Sequence, residues 1–286
     1  MRLCRFDGRR IGVVRGDQVH EVTRITDRLG QFRYPLPTHD LLIAALPDLR
    51  SEIEALADCA PGIALSDVAL DAPVANPGKL IAAPVNYVDH LHEAERDLVE
   101  FFQQKVMQIQ QIGLFLKATS SLVGESEAVQ LRLSGRRNDH ELELAAVIGK
   151  RASNVSAEAA LDHVAGYAVG LDITLRGAEE RSMRKSSDTY SVLGPWLVTP
   201  DELPDPGALA MHLDVNGDRR QTANTRDLIL SVPRLIEFAS RYYTLEPGDV
   251  IYTGTPAGVG EIVDGDRITA TIEHIGTLTT RVAGPK

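Results

Sequence analysis

Asp139-His140-Glu141-Leu142-Glu143-Leu144-Ala145-Ala146-Val147-Ile148-Gly149 is the stretch that decides the fold. It opens with acids and closes as an uninterrupted apolar run, the pattern of a strand entering a core. Side chains alternate faces along a strand, so Glu141 and Glu143 point the same way and Leu142 and Leu144 the other. Two carboxylates on one face, about 6–7 Å apart at the strand rise, repel each other and lose hydration beside a core. They need a cation, a shared proton or open water. If a third acid converges, a hard divalent ion is the natural solution, because magnesium, manganese and calcium prefer oxygen ligands. Asp172, ending the apolar run Ala165–Leu171, is the candidate. Taken alone, Glu141-Leu142-Glu143 fits a half-exposed strand with solvated acids better than a metal site; its surroundings change that reading.

The chain has 286 residues, enough for a sizeable core as one domain plus an appendage or as two domains. Its 40 acidic and 30 basic residues give a net charge of -10 and form no Lys/Arg cluster. That balance disfavours a nucleic-acid or anionic-membrane surface. Two cysteines, Cys4 and Cys59, make no disulfide framework, which fits a reducing compartment. The charged N-terminus lacks a signal-peptide apolar region, and no apolar run approaches transmembrane length. A cytoplasmic protein is expected.

Residues 1 to about 73 read as a small N-terminal unit. Arg10–Val22 is a hairpin turning at Gly16-Asp17. Helical segments are expected from about Thr38 to Leu46 and from about Leu49 to Cys59, with Pro47 and Pro61 as breaks. His20 and His39 read as ordinary surface or turn residues, and a scaffold or oligomer contact is the expected role of the unit. Pro73, Pro77 and Gly78 mark the boundary, dividing the chain into residues 1–73 and 74–286.

Lys79–Val85 is a short buried strand, followed by Asn86-Tyr87-Val88-Asp89-His90-Leu91-His92-Glu93. A helical pattern begins near Val88 and puts His90 and Glu93 on one face at i and i+3. A carboxylate beside a neutral imidazole orients the ring and raises its basicity, so such a pair can deprotonate water. An isolated His-x-x-Glu is more often a solvated helix start. The zinc-protease pattern fails because Arg96 stands where the second His is needed. From Glu93 to about Ile112 the apolar spacing is that of an amphipathic helix or a flap over a pocket.

Leu114–Lys117 is a strand ending in a lone cation. A helix capped by Ser156 is expected from Ser153 to about Leu161. Arg176–Asp188 is strongly charged and suits a mobile surface loop of solvated side chains. Gly194–Pro200 reads as a turn, then a strand. Asn216-Gly217 is a hairpin turn, and Ser231 with Pro233 starts a helix. Val250–Thr253 is a strand running into Gly254-Thr255-Pro256-Ala257-Gly258-Val259-Gly260, where glycines let a backbone approach a ligand closely. That loop is neither a Walker A motif nor a Rossmann fingerprint. Strands at Ile268–Ile272 and Gly276–Val282 close the chain. There is no internal repeat, nucleophile elbow or Cys-x-x-Cys pair.

Five segments, in order, resemble the fumarylacetoacetate hydrolase superfamily over roughly residues 79 to 282. They are Asn86-Tyr87-x-x-His90-x-x-Glu93; Glu141-Leu-Glu143-Leu-Ala-Ala-Val-Ile-Gly149-Lys150; Gly166-Tyr167…Asp172…Arg176; Lys185-Ser-x-Asp188-Thr189 with Leu193-Gly194-Pro195-Trp196; and Leu245-Glu-Pro-Gly-Asp-Val-Ile251 with Thr253–Gly260. Each is weak alone, and all five together are highly specific. The similarity is to the acylpyruvase-like and 2-hydroxyhepta-2,4-diene-1,7-dioate isomerase-like branch. It implies an α+β, mainly β architecture: a mixed β-roll or sandwich-like catalytic fold, a small N-terminal β-rich domain, and a homodimer.

The same resemblance implies that Glu141, Glu143 and Asp172 bind magnesium, or manganese or calcium. It implies a substrate with a pyruvate-like head whose carboxylate and 2-oxo oxygen chelate the ion. Lys185 matches the lysine that helps hold substrate near the metal, Thr255 the residue that binds its carboxylate, and His90 with Glu93 the lid dyad that activates water. Lys117, Arg176 and Gly254 are further candidate substrate contacts. Three departures make transfer of any relative's substrate unsafe: Leu171 where Asn is frequent, Ala118-Thr119-Ser120 where Pro-Pro-Ser is common, and a short Asp172-to-Lys185 loop. The expected reaction is metal-dependent hydrolysis of a carbon–carbon bond in a 2,4-dioxo acid (an acylpyruvate), as in aromatic catabolism. Decarboxylation of oxaloacetate or a related 2-oxo acid, isomerisation of a hydroxydienedioate and ureidoglycolate cleavage use related chemistry. A non-enzymatic metal- and oxo-acid-binding protein is the alternative outside catalysis.

Overall fold

The computed structural model describes residues 1–91, 109–203 and 205–285. The first 73 residues give β1 (Arg2–Phe6), β2 (Arg10–Arg15), β3 (Gln18–Glu21), β4 (Gly62–Ala64) and β5 (Leu70–Asp71), with the helix Leu41–Cys59 between β3 and β4. Short strands follow: β6 (Leu80–Ala82), β7 (Phe115–Lys117), β8 (Leu122–Val123) and β9 (Val129–Gln130). The middle of the chain holds β10 (Asn138–His140), β11 (Leu142–Ile148), β12 (Val164–Asp172), β13 (Thr174–Leu175) and β14 (Ser191–Val198). The last strands are β15 (Ala210–Val215), β16 (Asp218–Asn224), β17 (Val250–Tyr252), β18 (Gly260–Ile262), β19 (Arg267–Ile272) and β20 (Gly276–Ala283), with the helix Val232–Tyr242 between β16 and β17.

Twelve strands share one sheet, ordered β4-β3-β2-β1-β14-β12-β11-β17-β6-β7, with β5 beside β1 and β8 beside β14. A five-stranded sheet runs β16-β15-β19-β20-β9, and a small one β13-β10-β18. Strand β11 lies antiparallel to both β12 and β17, and all seven of its residues are buried. Its near-continuous apolar sequence reflects two covered faces. Leu142, Leu144, Ala146 and Ile148 pack with Met211, Leu213, Ile268, Ala270 and Leu278 of the five-stranded sheet. Ala145 and Val147 pack on the opposite face with Ile43, Leu46 and Ile53 of the helix Leu41–Cys59. The mainly β, α+β architecture expected from the sequence is therefore what the chain adopts. Among the described residues no helix is long and apolar enough to cross a membrane.

Four local expectations need correction. Pro47 does not break the N-terminal helix, which runs unbroken from Leu41 to Cys59. The buried stripe Leu42, Ile43, Leu46, Leu49, Ile53 and Ala57 continues through the proline, so packing outweighs one lost backbone hydrogen bond. Arg176–Asp188 is not simply a solvated loop: Glu180 caps a short helix, Arg181–Lys185, by accepting from the Ser182 N–H, and Lys185 is buried. Gly194 and Pro195 lie inside β14, at an irregularity in its pairing with β12, where a missing N–H is tolerated. The helix expected from Ser153 is a single turn, Ala157–Ala160, followed by a 3-10 turn. By contrast, Asn216 and Gly217 turn the β15–β16 hairpin with φ of 55° and 88°, the two positive values a tight hairpin turn requires.

The boundary expected at 73/74 falls between β5 and β6, and both sheet and core run across it. Strand β1 pairs with β14 (Leu3 opposite Leu197), and the Leu41–Cys59 helix packs on the face of β11 that carries Ala145 and Val147. Asp40 is the anchor at this junction. Its carboxylate accepts from Ile43 N at the start of the helix and from Ala75 N and Asn76 N of the connecting segment, each at 3.0 Å. Asp40→Ala should lower stability by about 2 kcal/mol in urea unfolding while leaving divalent-ion affinity unchanged, because Asp40 is no part of the acidic cluster.

Candidate active site

The pairing of β11 with β12 assembles the acidic cluster. Leu142 stands opposite Leu171 and Glu143 opposite Gly170, which brings Glu141 opposite Asp172. Residues directly opposite in an antiparallel pair share a face, so Glu141, Glu143 and Asp172 converge. Gly170 lets the Tyr252 ring pack closely over the strand pair beside the acids: a Cβ there would meet that ring at 2.8 Å. Glu141 sits at the joint where the chain passes from the small sheet into the large one, and its carbonyl accepts from Asp172 N at 2.9 Å. One carboxylate oxygen from each acid lies within 4.8 Å of the others, and all three residues are buried.

Cations and donors surround the cluster. Lys185 Nζ donates to Glu141 Oε2 and Asp172 Oδ2 at 2.7 Å each and to Thr174 Oγ1 at 2.6 Å. Thr174 in turn donates to Glu141 Oε1 at 2.8 Å. Lys117 Nζ donates to Asp172 Oδ1 and to the Tyr190 carbonyl. The Gly254 N–H donates to Glu143 Oε2 at 2.6 Å. Gly254 has φ 98°, and a Cβ there would meet Asn86 Cβ at 2.7 Å, so the loop needs glycine at this point. Arg176 pairs with the buried Asp139 at 2.6 Å and stands 3.7 Å from Glu141.

These contacts leave the charges unequally served. Burial pushes the Glu143 carboxyl well above the ordinary value of 4.5, and Asp172 and Glu141 push it further. Burial acts the same way on Glu141, but Lys185 and Arg176 outweigh it and hold that carboxyl below 4.5. Lys185 is held above its ordinary range, since Asp172 and Glu141 outweigh the effect of burial. For Lys117, burial outweighs Asp172 and the ammonium titrates low.

A cavity of about 140 Å³ opens over Glu141, Asp172 and Lys185. His90, Arg176 and Thr255 line it, together with Phe115, Arg181 and Arg184. The Asn86 side chain fixes the start of the helical turn that carries His90, donating to the Leu230 and Thr253 carbonyls and accepting from Leu230 N. Val85, also on the wall, has φ 46°, a conformation that β-branched residues rarely adopt and that concentrates at binding sites. Glu93 lies outside the described residues, as does most of the segment expected to form an amphipathic helix or flap. Lys117 is fully buried on Asp172 and lines no part of this cavity; Gly254 meets the cluster through its backbone.

Sequence reading missed Arg181, Arg184 and Gln221. The first two, with Lys185, recur at i, i+3 and i+4, a helical spacing hidden in a run that looked uniformly solvated. Gln221 carried no signal: it is the single buried residue of β16. Its amide donates to Thr255 Oγ1 and the Pro256 carbonyl at 2.9 Å and accepts from Leu142 N at 3.0 Å, tying the glycine loop to the start of β11.

Three converging carboxyl groups with only oxygen donors fit a hard divalent cation.

Comparisons with known proteins agree with this geometry. A family model described as "Fumarylacetoacetate (FAA) hydrolase C-terminal" matches residues 79–283. The chain is 55% identical over 287 residues to maleylpyruvate hydrolase of Aquipseudomonas alcaligenes, covering 99% of each. It is 36% identical to 2,4-didehydro-3-deoxy-L-rhamnonate hydrolase of Sphingomonas sp. (strain SKA58), covering 99% of this chain and 96% of that one. Among solved structures it superposes on maleylpyruvate hydrolase from Sphingobium sp. SYK-6, in complex with manganese(II) ion and pyruvate, with a TM-score of 0.86 and 43% identity over 100% of both chains.

The raised pKa of Glu143 has a linked consequence. Without metal, the folded chain keeps a proton that the unfolded chain loses above pH 4.5, so its stability falls as pH rises from there toward the folded value. A divalent ion displaces that proton, and its affinity should rise about tenfold per pH unit over the same window. Calorimetric titration with manganese in buffers of different ionisation enthalpy should show close to one proton released. No release, or an unchanged pH dependence in Glu143→Gln, would contradict this coupling.

Proposed function

The chain belongs to the fumarylacetoacetate hydrolase family, and we propose that it is a divalent-metal-dependent hydrolase that cleaves the carbon–carbon bond of acylpyruvates, with maleylpyruvate as the leading substrate. The observation that carries this reading is the buried triad Glu141, Glu143 and Asp172, with Lys185 bridging Glu141 and Asp172 where these two line the cavity. Full-length similarity to maleylpyruvate hydrolase supports the choice of substrate.

Glu141, Glu143 and Asp172 would hold the ion, which when bound supplies electrophilic polarisation of the substrate's 2-oxo group. A divalent ion would add positive charge to a cavity already lined by Lys185, Arg176, Arg181 and Arg184, which suits an anionic 2-oxo acid. Lys185 provides fixed positive charge beside the polarised carbonyl. The Thr255 hydroxyl, oriented by Gln221, binds the substrate carboxylate. His90 takes a proton from water, whose oxygen adds to the distal acyl carbonyl. The bond between that carbon and the methylene then breaks. Its electron pair is delocalised into the 2-oxo group, and the proton returns to the methylene carbon as pyruvate and the second acid leave. Glu93 orients His90 in this scheme. Magnesium or manganese is the proposed ion, and a cytoplasmic homodimer the proposed form.

Pyruvate release from maleylpyruvate and from acetylpyruvate, each with magnesium, manganese or chelator, tests the assignment. Turnover should require metal, vanish in Glu141→Ala/Glu143→Ala, and fall by about 10²–10³-fold in His90→Ala. Activity indifferent to chelator, in protein shown by elemental analysis to be metal-free, would overturn it, and oxaloacetate loss without acylpyruvate cleavage would point to the decarboxylase instead.

A further inference from the structure

Four cationic side chains of the segment 176–185 line the cavity, and three of them are committed within the protein. Arg176 is held by Asp139, Lys185 by Glu141 and Asp172, and Arg184 donates to the Glu179 and Leu175 carbonyls. Arg181 differs. Among the described residues its guanidinium makes no hydrogen bond or ion pair, and it lies over the Phe115 ring, 5.6 Å from the centroid. Burial lowers its pKa, the charge of Arg184 adds to the effect, and Glu141, Glu180 and Asp172 offset it only in part. Arg181 is only half-buried, and a partly desolvated guanidinium with five donors and no protein acceptor offers an anion a ready partner.

The position of Arg181 says where that anion would be. It lies one helical turn before Lys185, whose ammonium marks the reacting end of the cavity. Four residues at the helical rise separate them by about 6 Å along the axis, the span of a short carbon chain. Arg181, Phe115 and Arg184 also border a second, wider recess of about 620 Å³, so these side chains lie between the two spaces, on the side of the cavity away from the acids.

We propose that Arg181 is the specificity-determining residue for the substrate's tail, binding a terminal carboxylate so that the site selects dicarboxylic acylpyruvates over those with a neutral acyl group. The inference builds on the hydrolase reading above and adds the chemistry of the far end. A planar guanidinium beside an aromatic ring suits bidentate capture of a carboxylate at the end of a flat unsaturated chain.

Binding and turnover test this separately. With manganese-loaded protein, titration calorimetry compares 2-oxoadipate with 2-oxohexanoate, matched in chain length, lacking a 4-oxo group and differing in the tail carboxylate. The wild type should prefer the dicarboxylate by at least about tenfold, and Arg181→Gln should shrink that preference to within about threefold, with Arg181→Lys in between. In turnover, Arg181→Gln should raise KM for maleylpyruvate by about 30-fold and affect acetylpyruvate severalfold less. The proposal is overturned if the wild type shows no preference, if Arg181→Gln keeps it, or if both ligands weaken equally. Failure of the hydrolase reading is distinguishable: the binding preference would then stand without turnover of any acylpyruvate.

Discussion

Three carboxylates buried within 4.8 Å of one another are the constraint that the rest of the molecule answers to. Like charges in a low-dielectric setting cannot all ionise without compensation. The chain compensates in layers. Lys185 and Lys117 reach the cluster from opposite ends of Asp172, the Gly254 N–H meets Glu143, and the Thr174 hydroxyl meets Glu141. Removing one member of a buried pair leaves an uncompensated charge, at a cost of about 3–5 kcal/mol, so site and fold stand or fall together here. The residual imbalance at Glu143 is what leaves a place for a divalent ion.

The architecture follows from needing a rigid platform under that charge. Strand β11 is covered on both faces, by the five-stranded sheet on one and by the Leu41–Cys59 helix on the other. Apolar packing of β11 and β12 sets the register that brings the acids at their ends together. A one-residue slip would send Glu141 and Glu143 to the other face. The N-terminal strands and helix complete the second core, which is why they belong to the same sheet as the site although they contribute no residue to it.

Much of this was legible. The apolar run Leu142–Ile148, the acids before it and the apolar run ending in Asp172 gave the central strands and the triad, because period and charge are local properties. The Asn216-Gly217 hairpin followed from turn chemistry, and the mainly β architecture from the family resemblance. What misled were places where local preference lost to packing. Pro47 was expected to end a helix that its buried stripe carries through, and Arg176–Asp188 looked solvated because a helical spacing of three cations does not stand out in a run of charges.

The sequence by itself determined which groups were available for the proposed chemistry: oxygen donors on alternating positions of a buried strand, a histidine at a helical start, and a glycine where the backbone must come close; the lysine in the charged run was singled out by the family resemblance. Only the tertiary structure decided how those groups divide their work. It placed Lys117 under Asp172 and Lys185 beside the cavity, although each reads as a lysine near a strand or loop. It committed Arg176 and Arg184 to protein acceptors while leaving Arg181 without one among the described residues, and it buried Gln221 where it ties the glycine loop to the start of β11. The physical reason is that strand period and turn preference are written residue by residue, whereas desolvation and charge pairing depend on which side chains from distant segments arrive at the same few ångströms.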